Sequence, residues 1–371
     1  MRKNTDQDPR IIMTLDAGGT NFVFSAIQGN KEIVQPIHKP ANSDNLKKCL
    51  DTVITGFEEM KRQLPGEAVA ISFAFPGPAD YLEGIIGNLP NFKAFSDGVP
   101  LGPILEDYFG IPVYINNDGN LFTYGEALSG YLPYLNQRLK QAQSIKQYSN
   151  LIGITLGTGF GAGIVLENKM LVGNNSCAAE IHNTVNSVNP NWNAEESVST
   201  RALQRVYNAE AGISFNTSLM PRDIYEIAKG LREGVPEAAV ESFRQFGKGL
   251  GDSIANALSL IDGIVVLGGG ITAAWDLFSP AMFKEINRNY NDHKGIPSQR
   301  LSFKVYNLEN DSVFKEFAEG RVKELSVPGS GRRILSDDLP RTGVCLSRIG
   351  ANKAIALGAY AFALQQLDAL K

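Results

Sequence analysis

Three glycine-rich turns and one carboxylate are the residues in this chain most suited to chemistry. Asp16-Ala17-Gly18-Gly19-Thr20-Asn21 interrupts two apolar runs within "IIMTLDAGGTNFVFSAIQ". Gly157-Thr158-Gly159-Phe160-Gly161 does the same within "LIGITLGTGFGAGIVLENK", and Gly268-Gly269-Gly270 follows the apolar "IVVL". Glycine allows positive φ and close approach of the backbone, and N–H groups aimed into a concave turn bind phosphate oxygens. The first two turns add a threonine hydroxyl. The third lies between a strand pattern and a helical one, where it suits the flat face of a base or ribose. A carboxylate beside a polyphosphate is repelled unless a cation stands between them, so Asp16 is expected to hold Mg²⁺, directly or through water. Together the turns suit one nucleotide. Two other phosphate devices fail on context: no lysine follows any of these glycines as a P-loop requires, and "GTGFGAG" leads into a strand pattern where a dinucleotide fingerprint opens a helix.

The elements that must position these turns alternate. After the first strand pair comes "DNLKKCLDTVITGFEEMKRQL", with apolar residues at helical spacing, and then the strand "AVAISFAF". "LGPILEDYFG" reads as a short helix, and "IPVYINNDGN" as a strand with a polar end. Strands interleaved with helices predict an α/β protein with a covered sheet. Laying "LDAGGTNFVF" over "LGTGFGAGIV" sets Asp16 against Gly157 and keeps the apolar runs in step, which predicts an internal duplication of the hairpin. Farther on, "EESVSTRALQRVY", "PRDIYEIAKGL", "PEAAVESFRQFGKGLGDSIANALSLI" and the apolar "ANKAIALGAYAFALQQL" read as helices. The basic segment 132–150 reads as a helix or surface insertion with a solvated face. The polar stretch 303–344 reads as a passive elaboration outside the core.

Composition narrows the function classes. The 371 residues allow two domains, and 43% are hydrophobic, with a net charge of −4 spread along the chain. Such weak acidity gives no reason to expect nucleic acid or an anionic membrane as partner. No apolar run reaches the roughly 20 residues of a membrane span. The polar start "MRKNTDQDPR" has no signal-peptide pattern. Cys49, Cys177 and Cys345 are scattered without metal-ligand spacing, which fits three packed thiols and a reducing cytoplasm.

The ordered set "LDAGGTN", "NNDGN…GEALSG", "LGTGFGAG", "EIH", "EESVSTRAL", "VVLGGGI" and "ALGAYAFAL" resembles the ROK sugar kinases, members of the actin, hexokinase and heat-shock-70 ATPase superfamily. It runs through nearly the whole chain apart from 132–150 and 303–344. The resemblance implies an α/β fold of two ribonuclease H-like (actin-like ATPase) domains around a central cleft. The N-terminal domain would span 1–131 and the larger second domain 132–371, with an insertion at 303–344 and a terminal helix at 350–368 that packs back on the first. It further implies ATP and Mg²⁺ as cofactors, a hexose or amino sugar as substrate, and a cytoplasmic homodimer. Asp118 takes the position of the general base that receives a proton from the sugar hydroxyl. Asn91, Asn117, Glu180, His182 and Glu195 take positions that contact the sugar. Gly18, Gly19, Thr20 and Asn21, then Gly157, Thr158 and Gly159, serve the phosphates, and Gly268, Gly269 and Gly270 the adenosine.

The chain also departs from the family pattern. The family motif places its histidine three residues after the glutamate, whereas here His182 follows Glu180 by two, so His182 or Asn183 can take that place. Relatives carry a cysteine cluster for structural zinc next to this motif; "NTVNSVNPNWNAEES" has no cysteine, which predicts no zinc site. Two rival functions follow from the resemblance. A sugar-responsive repressor needs a helix-turn-helix before the kinase-like body, and only about ten residues precede the first strand. A sugar-binding protein with little or no kinase activity is the remaining alternative.

Overall fold

The computed structural model describes residues 5–18, 20–77, 79–87, 95 and 98–369. The chain begins with a meander: β1 (Ile11–Ala17), β2 (Asn21–Gln28), β3 (Lys31–Glu32) and β4 (Ile37–Pro40). After α1 (Leu46–Gln63) come β5 (Ala68–Ala74), the small pair β6 (Ala79–Asp80) and β7 (Ile85–Ile86), α2 (Leu101–Phe109), β8 (Val113–Asn116) and α3 (Asp118–Leu128). The sheet order is β3-β2-β1-β5-β8, with β4 also on β2. β1 pairs antiparallel with β2 and parallel with β5, which pairs parallel with β8.

Side chains alternate across β1 and β5, and both faces of this sheet are buried, which explains their nearly continuous apolar sequence. One face carries Met13, Leu15, Phe24, Ile71 and Phe73, packed with Cys49, Val53, Phe57 and Met60 of α1. Phe24 and Phe57 meet edge to face at 5.1 Å between ring centres. Asn45 caps α1 by accepting the N–H of Lys48 at 3.0 Å. The opposite face carries Ile12, Ile27 and Ala70, packed with Leu357, Tyr360 and Leu364.

The second half runs α4 (Tyr131–Gln141), β9 (Leu151–Leu156), β10 (Phe160–Leu166), β11 (Lys169–Met170), α5 (Thr200–Glu210), α6 (Pro221–Ala228), α7 (Pro236–Leu260), β12 (Ile264–Gly268) and α8 (Trp275–Ile286). There follow β13 (Asn289–Asn291), β14 (Pro297–Gln299), β15 (Lys304–Asn307), α9 (Asp311–Glu319), β16 (Val322–Ser326), β17 (Arg333–Asp337), β18 (Arg341–Leu346) and α10 (Ala351–Ala369). The second large sheet has the order β11-β10-β9-β12-β18-β15, and β12 lies parallel to both β9 and β18. Each sheet thus places a strand meander next to parallel strands, with a glycine turn at the tip of the hairpin.

Two compact units result: residues 1–130, 163–179 and 349–371 in the first, and 131–162 and 180–348 in the second. The second unit thus differs from the expected 132–371 by the loss of 163–179 and of the terminal helix, which was expected to pack on the first. α10 belongs with the first unit, where it packs on α3, β1 and β5. The reading of 303–344 as a passive insertion is wrong in its main part. β15 and β18 are parallel strands of the second large sheet, and Val305, Tyr306, Val344 and Cys345 are buried. Only the ribbon β16–β17 between them is an exposed excursion. Of the two readings of segment 132–150, the structure shows the helix: it opens as α4, with Leu132, Leu135 and Leu139 buried.

Candidate active site

In the first unit the ends of parallel strands collect the carboxylates. Asp16 is in register with Ala74 on β5, and Ala74 with Asn116 on β8; two residues beyond Asn116 stands Asp118. This end is polar because β8 stops at Asn116 and turns directly into α3. Asn117 caps that helix, its Oδ1 accepting the N–H of Asn120 at 2.6 Å. The buried Asn116 Oδ1 accepts the N–H of Asn117 at 2.9 Å and the side-chain amide of Asn120 at 2.9 Å. Asp118 therefore opens α3 on a rigid, hydrogen-bonded corner, and its Oδ1 accepts the N–H of Gly119 at 2.9 Å.

Both carboxylates reach solvent, yet the protein crowds them. Desolvation pushes the Asp118 carboxyl above the ordinary aspartate range, opposed by the Gly119 N–H and its own. Desolvation and then the charge of Asp118 push Asp16 up as well. A divalent cation would relieve that repulsion, and an exposed hard oxygen at Asp16 fits Mg²⁺. The neighbouring turn closes through the Gly18 N–H donating to the Asn21 carbonyl at 3.1 Å. A Cβ on Gly18 would stand 2.9 Å from that same oxygen, so the turn requires glycine. Thr20 and Asn21 are exposed beside it. Gly19 and Asn91, both expected in the site, lie outside the described residues.

The second unit groups the other turns. Gly268, at the end of β12, pairs in register with Thr155 of β9, so the Gly157–Gly159 tip and the Gly268–Gly270 turn end adjacent parallel strands. Gly269 has φ 94°, and a Cβ there would overlap the Leu156 carbonyl oxygen. Gly270, by contrast, faces open space. Glu180 and His182 come together, with Nδ1 of His182 2.9 Å from Oε2 of Glu180, while Asn183 is an exposed residue of the same short helical turn. Glu195 has a partner its spacing did not suggest: Oε2 accepts the N–H of Phe160 at 3.1 Å, tying it to the glycine hairpin.

Two organising residues were missed by the sequence reading. Asn186 is 3% exposed and makes four side-chain hydrogen bonds, to the N–H groups of Val188 and Asn189, the Asn193 carbonyl and the Ser197 hydroxyl. It clips the loop that leads from Glu180 and His182 to Glu195. Thr200, the first residue of α5, donates both its N–H and its hydroxyl to the Gly157 carbonyl, at 2.9 and 3.0 Å. "SVST" signals a helix start, with Ser199 as cap, but no local signal names the partner of Thr200. Among the described residues no group of three or more His, Cys, Asp or Glu is placed to hold a metal, and no helix is long and apolar enough to cross a membrane.

These features define a class: a mixed α/β fold of the ROK type. The chain belongs to the ROK family, whose model matches residues 12–312. It is similar to the crystal structure of glucokinase from Parabacteroides distasonis, with 50% identity and a TM-score of 0.88 over 98% of this chain and 99% of that one. It is 26% identical to a glucokinase from Thermotoga maritima, over 74% of this chain and 87% of the relative. It is 27% identical to an N-acetyl-D-glucosamine kinase from Vibrio cholerae, over 74% of this chain and 88% of the relative.

Proposed function

We propose that this chain is an ATP-dependent kinase that phosphorylates a hydroxyl of a hexose or an amino sugar. The observation that carries the reading is that Asp16 and Asp118 stand at the same ends of parallel strands, where one carboxylate opens a helix and the other closes the strand beside a glycine turn. Asp118 accepts the proton of the sugar hydroxyl as that oxygen bonds to the γ-phosphorus, and the bond from phosphorus to the ADP oxygen breaks. Burial raises its pKa, which makes it a stronger base than an ordinary aspartate. Mg²⁺ held by Asp16 neutralises phosphate charge when bound.

The remaining residues bind and orient. N–H groups of the two hairpin turns, with Thr20 and Thr158, receive phosphate oxygens, and Gly268–Gly270 receive the adenosine. Asn91, Asn117, Glu180, His182 and Glu195 supply the short polar groups that pyranose hydroxyls need, since each hydroxyl both donates and accepts. In this reading Glu180 orients the imidazole of His182. The reading brings with it two ribonuclease H-like domains around a central cleft, a homodimer and a cytoplasmic location. The glucokinase and N-acetyl-D-glucosamine kinase relatives support the substrate class.

The test is Mg²⁺-dependent ADP release from ATP across glucose, mannose, fructose, N-acetylglucosamine, N-acetylmannosamine and allose, with Asp118→Asn alongside. Turnover that depends on one sugar and disappears in the variant is expected. Strong residual turnover in Asp118→Asn removes Asp118 from the base role. A sugar that raises the melting temperature without stimulating ADP release makes the chain a binding protein.

A further inference from the structure

The Gly157–Gly159 tip is held by one short segment, residues 195–200. At its far side the Phe160 N–H donates to Oε2 of Glu195 at 3.1 Å. At its near side the Gly157 carbonyl accepts both the N–H and the hydroxyl of Thr200. The tip closes on itself through the Gly157 N–H donating to the Gly159 carbonyl at 3.2 Å. What is left, among the described residues, is the pair of N–H groups of Thr158 and Gly159 with no hydrogen-bond partner. The Thr158 N–H shares a peptide plane with the twice-bonded Gly157 carbonyl, and the Gly159 N–H lies between that plane and the one holding the bonded Gly159 carbonyl and Phe160 N–H; restraint of this kind lets backbone groups bind an anion at a lower ordering cost. The Thr200 N–H would otherwise be one of the unsatisfied donors of the first turn of α5, so the same bond completes the helix end.

We propose that Thr200 is a positioning residue for the phosphoryl donor: by bonding Gly157 twice, it fixes the orientation of the Thr158 and Gly159 N–H groups toward the nucleotide phosphates. Thr200 touches no substrate in this account and acts only through Gly157. The proposal rests on the nucleotide reading of this turn. It assigns Thr200 an effect on the nucleotide alone, because the sugar contacts of the reading, Glu180, His182 and Glu195, keep their own partners when its hydroxyl is removed.

The experiment is calorimetric titration of the full chain with Mg²⁺ and the non-hydrolysable analogue AMP-PNP, without sugar, for the wild type and for Thr200→Val, Thr200→Ala and Thr200→Ser. Loss of one hydrogen bond that orders the turn is expected to weaken AMP-PNP binding about three- to tenfold. KM for ATP should rise in parallel in both Thr200→Val and Thr200→Ala, with sugar affinity unchanged. Thr200→Ser keeps the hydroxyl and should restore wild-type binding. The alanine variant gives the same readout without the packing demand of a valine. Wild-type nucleotide affinity in Thr200→Val and Thr200→Ala overturns the proposal and leaves the kinase reading standing, as does equal loss of sugar and nucleotide binding. Failure of the wild type to bind AMP-PNP overturns both.

Discussion

Gly163 lies in β10 where that strand passes the first turn of α3. A Cβ at this position would stand 2.5 Å from Oγ1 of Thr123, 2.6 Å from the Gly119 carbonyl oxygen and 2.9 Å from Cα of Asn120. Ordinary van der Waals contact begins at 3.4 Å, so in Gly163→Ala the backbone at Gly119 must withdraw by about 0.8 Å, the difference between those two distances. Thr123 cannot yield freely, because its hydroxyl donates to that same Gly119 carbonyl at 2.7 Å. Overpacking of this kind costs about 1–3 kcal/mol, offset by the roughly 0.5–1 kcal/mol by which alanine is preferred over glycine within a strand. A net loss of up to about 2.5 kcal/mol lowers the melting temperature by up to roughly 10 °C for a unit of this size. Gly119 is the residue after Asp118, so the same shift moves the proposed base, and a displacement near 1 Å can cost about a hundredfold in rate. Thermal unfolding and steady-state kinetics on Gly163→Ala, with Gly157→Ala as the stability control because nothing lies within 4 Å of its Cβ, test both parts. A Gly163→Ala protein with wild-type kcat and melting temperature would refute the claim that β10 sets the position of Asp118.

Three further outcomes are expected. Asp118→Asn should lower kcat by about 10²- to 10⁴-fold with sugar affinity largely kept. Because burial raises the folded-state pKa of Asp118, its ionisation burdens the native state: the penalty is absent below the ordinary aspartate range and grows as pH rises toward the raised pKa, so the stability advantage of the variant over wild type should increase with pH and vanish in acid. Asn186→Ala removes the partner of four groups, three of them on half-buried residues, at about 1–3 kcal/mol for the set, and should raise the sugar KM about tenfold while changing the emission of Trp192, over whose ring Arg205 stacks at 4.4 Å. Gly269→Ala meets both a φ of 94° and the Leu156 backbone, with Leu156 N at 2.8 Å, and at about 1–3 kcal/mol of strain should lose ATP affinity and stability together, whereas Gly270→Ala should melt like the wild type.

The glycine turns, the Asp118 corner and the α/β alternation were legible because each is written locally. Turn chemistry needs only neighbouring residues, and an apolar run closed by "NNDGN" shows a strand meeting a helix cap without reference to anything distant. The second unit resisted in the region 303–344 because its strands β15 and β18 are four and six residues long and flanked by charge, so their apolar signal is short beside the exposed ribbon that separates them. The burial of Arg341 illustrates the difficulty. Its guanidinium donates to the Phe317 and Leu339 carbonyls and pairs with Asp337 at 2.7 Å, so a residue that reads as surface sits in the core.

The sequence by itself determined which residue types stand at each turn, and hence that phosphate, a divalent cation and a base were the chemistry to look for. Tertiary structure alone decided their partners. Glu195 meets Phe160 across 35 residues and Thr200 meets Gly157 across 43, distances over which no periodicity or capping rule operates. A Cβ on Gly358 of α10 would overlap the Leu121 carbonyl of α3, so the close crossing that seats the Asp118 helix depends on a glycine more than two hundred residues away. Such pairings are chosen by packing, where each backbone group must find either a partner or open space, and that choice exists only once the sheets have formed.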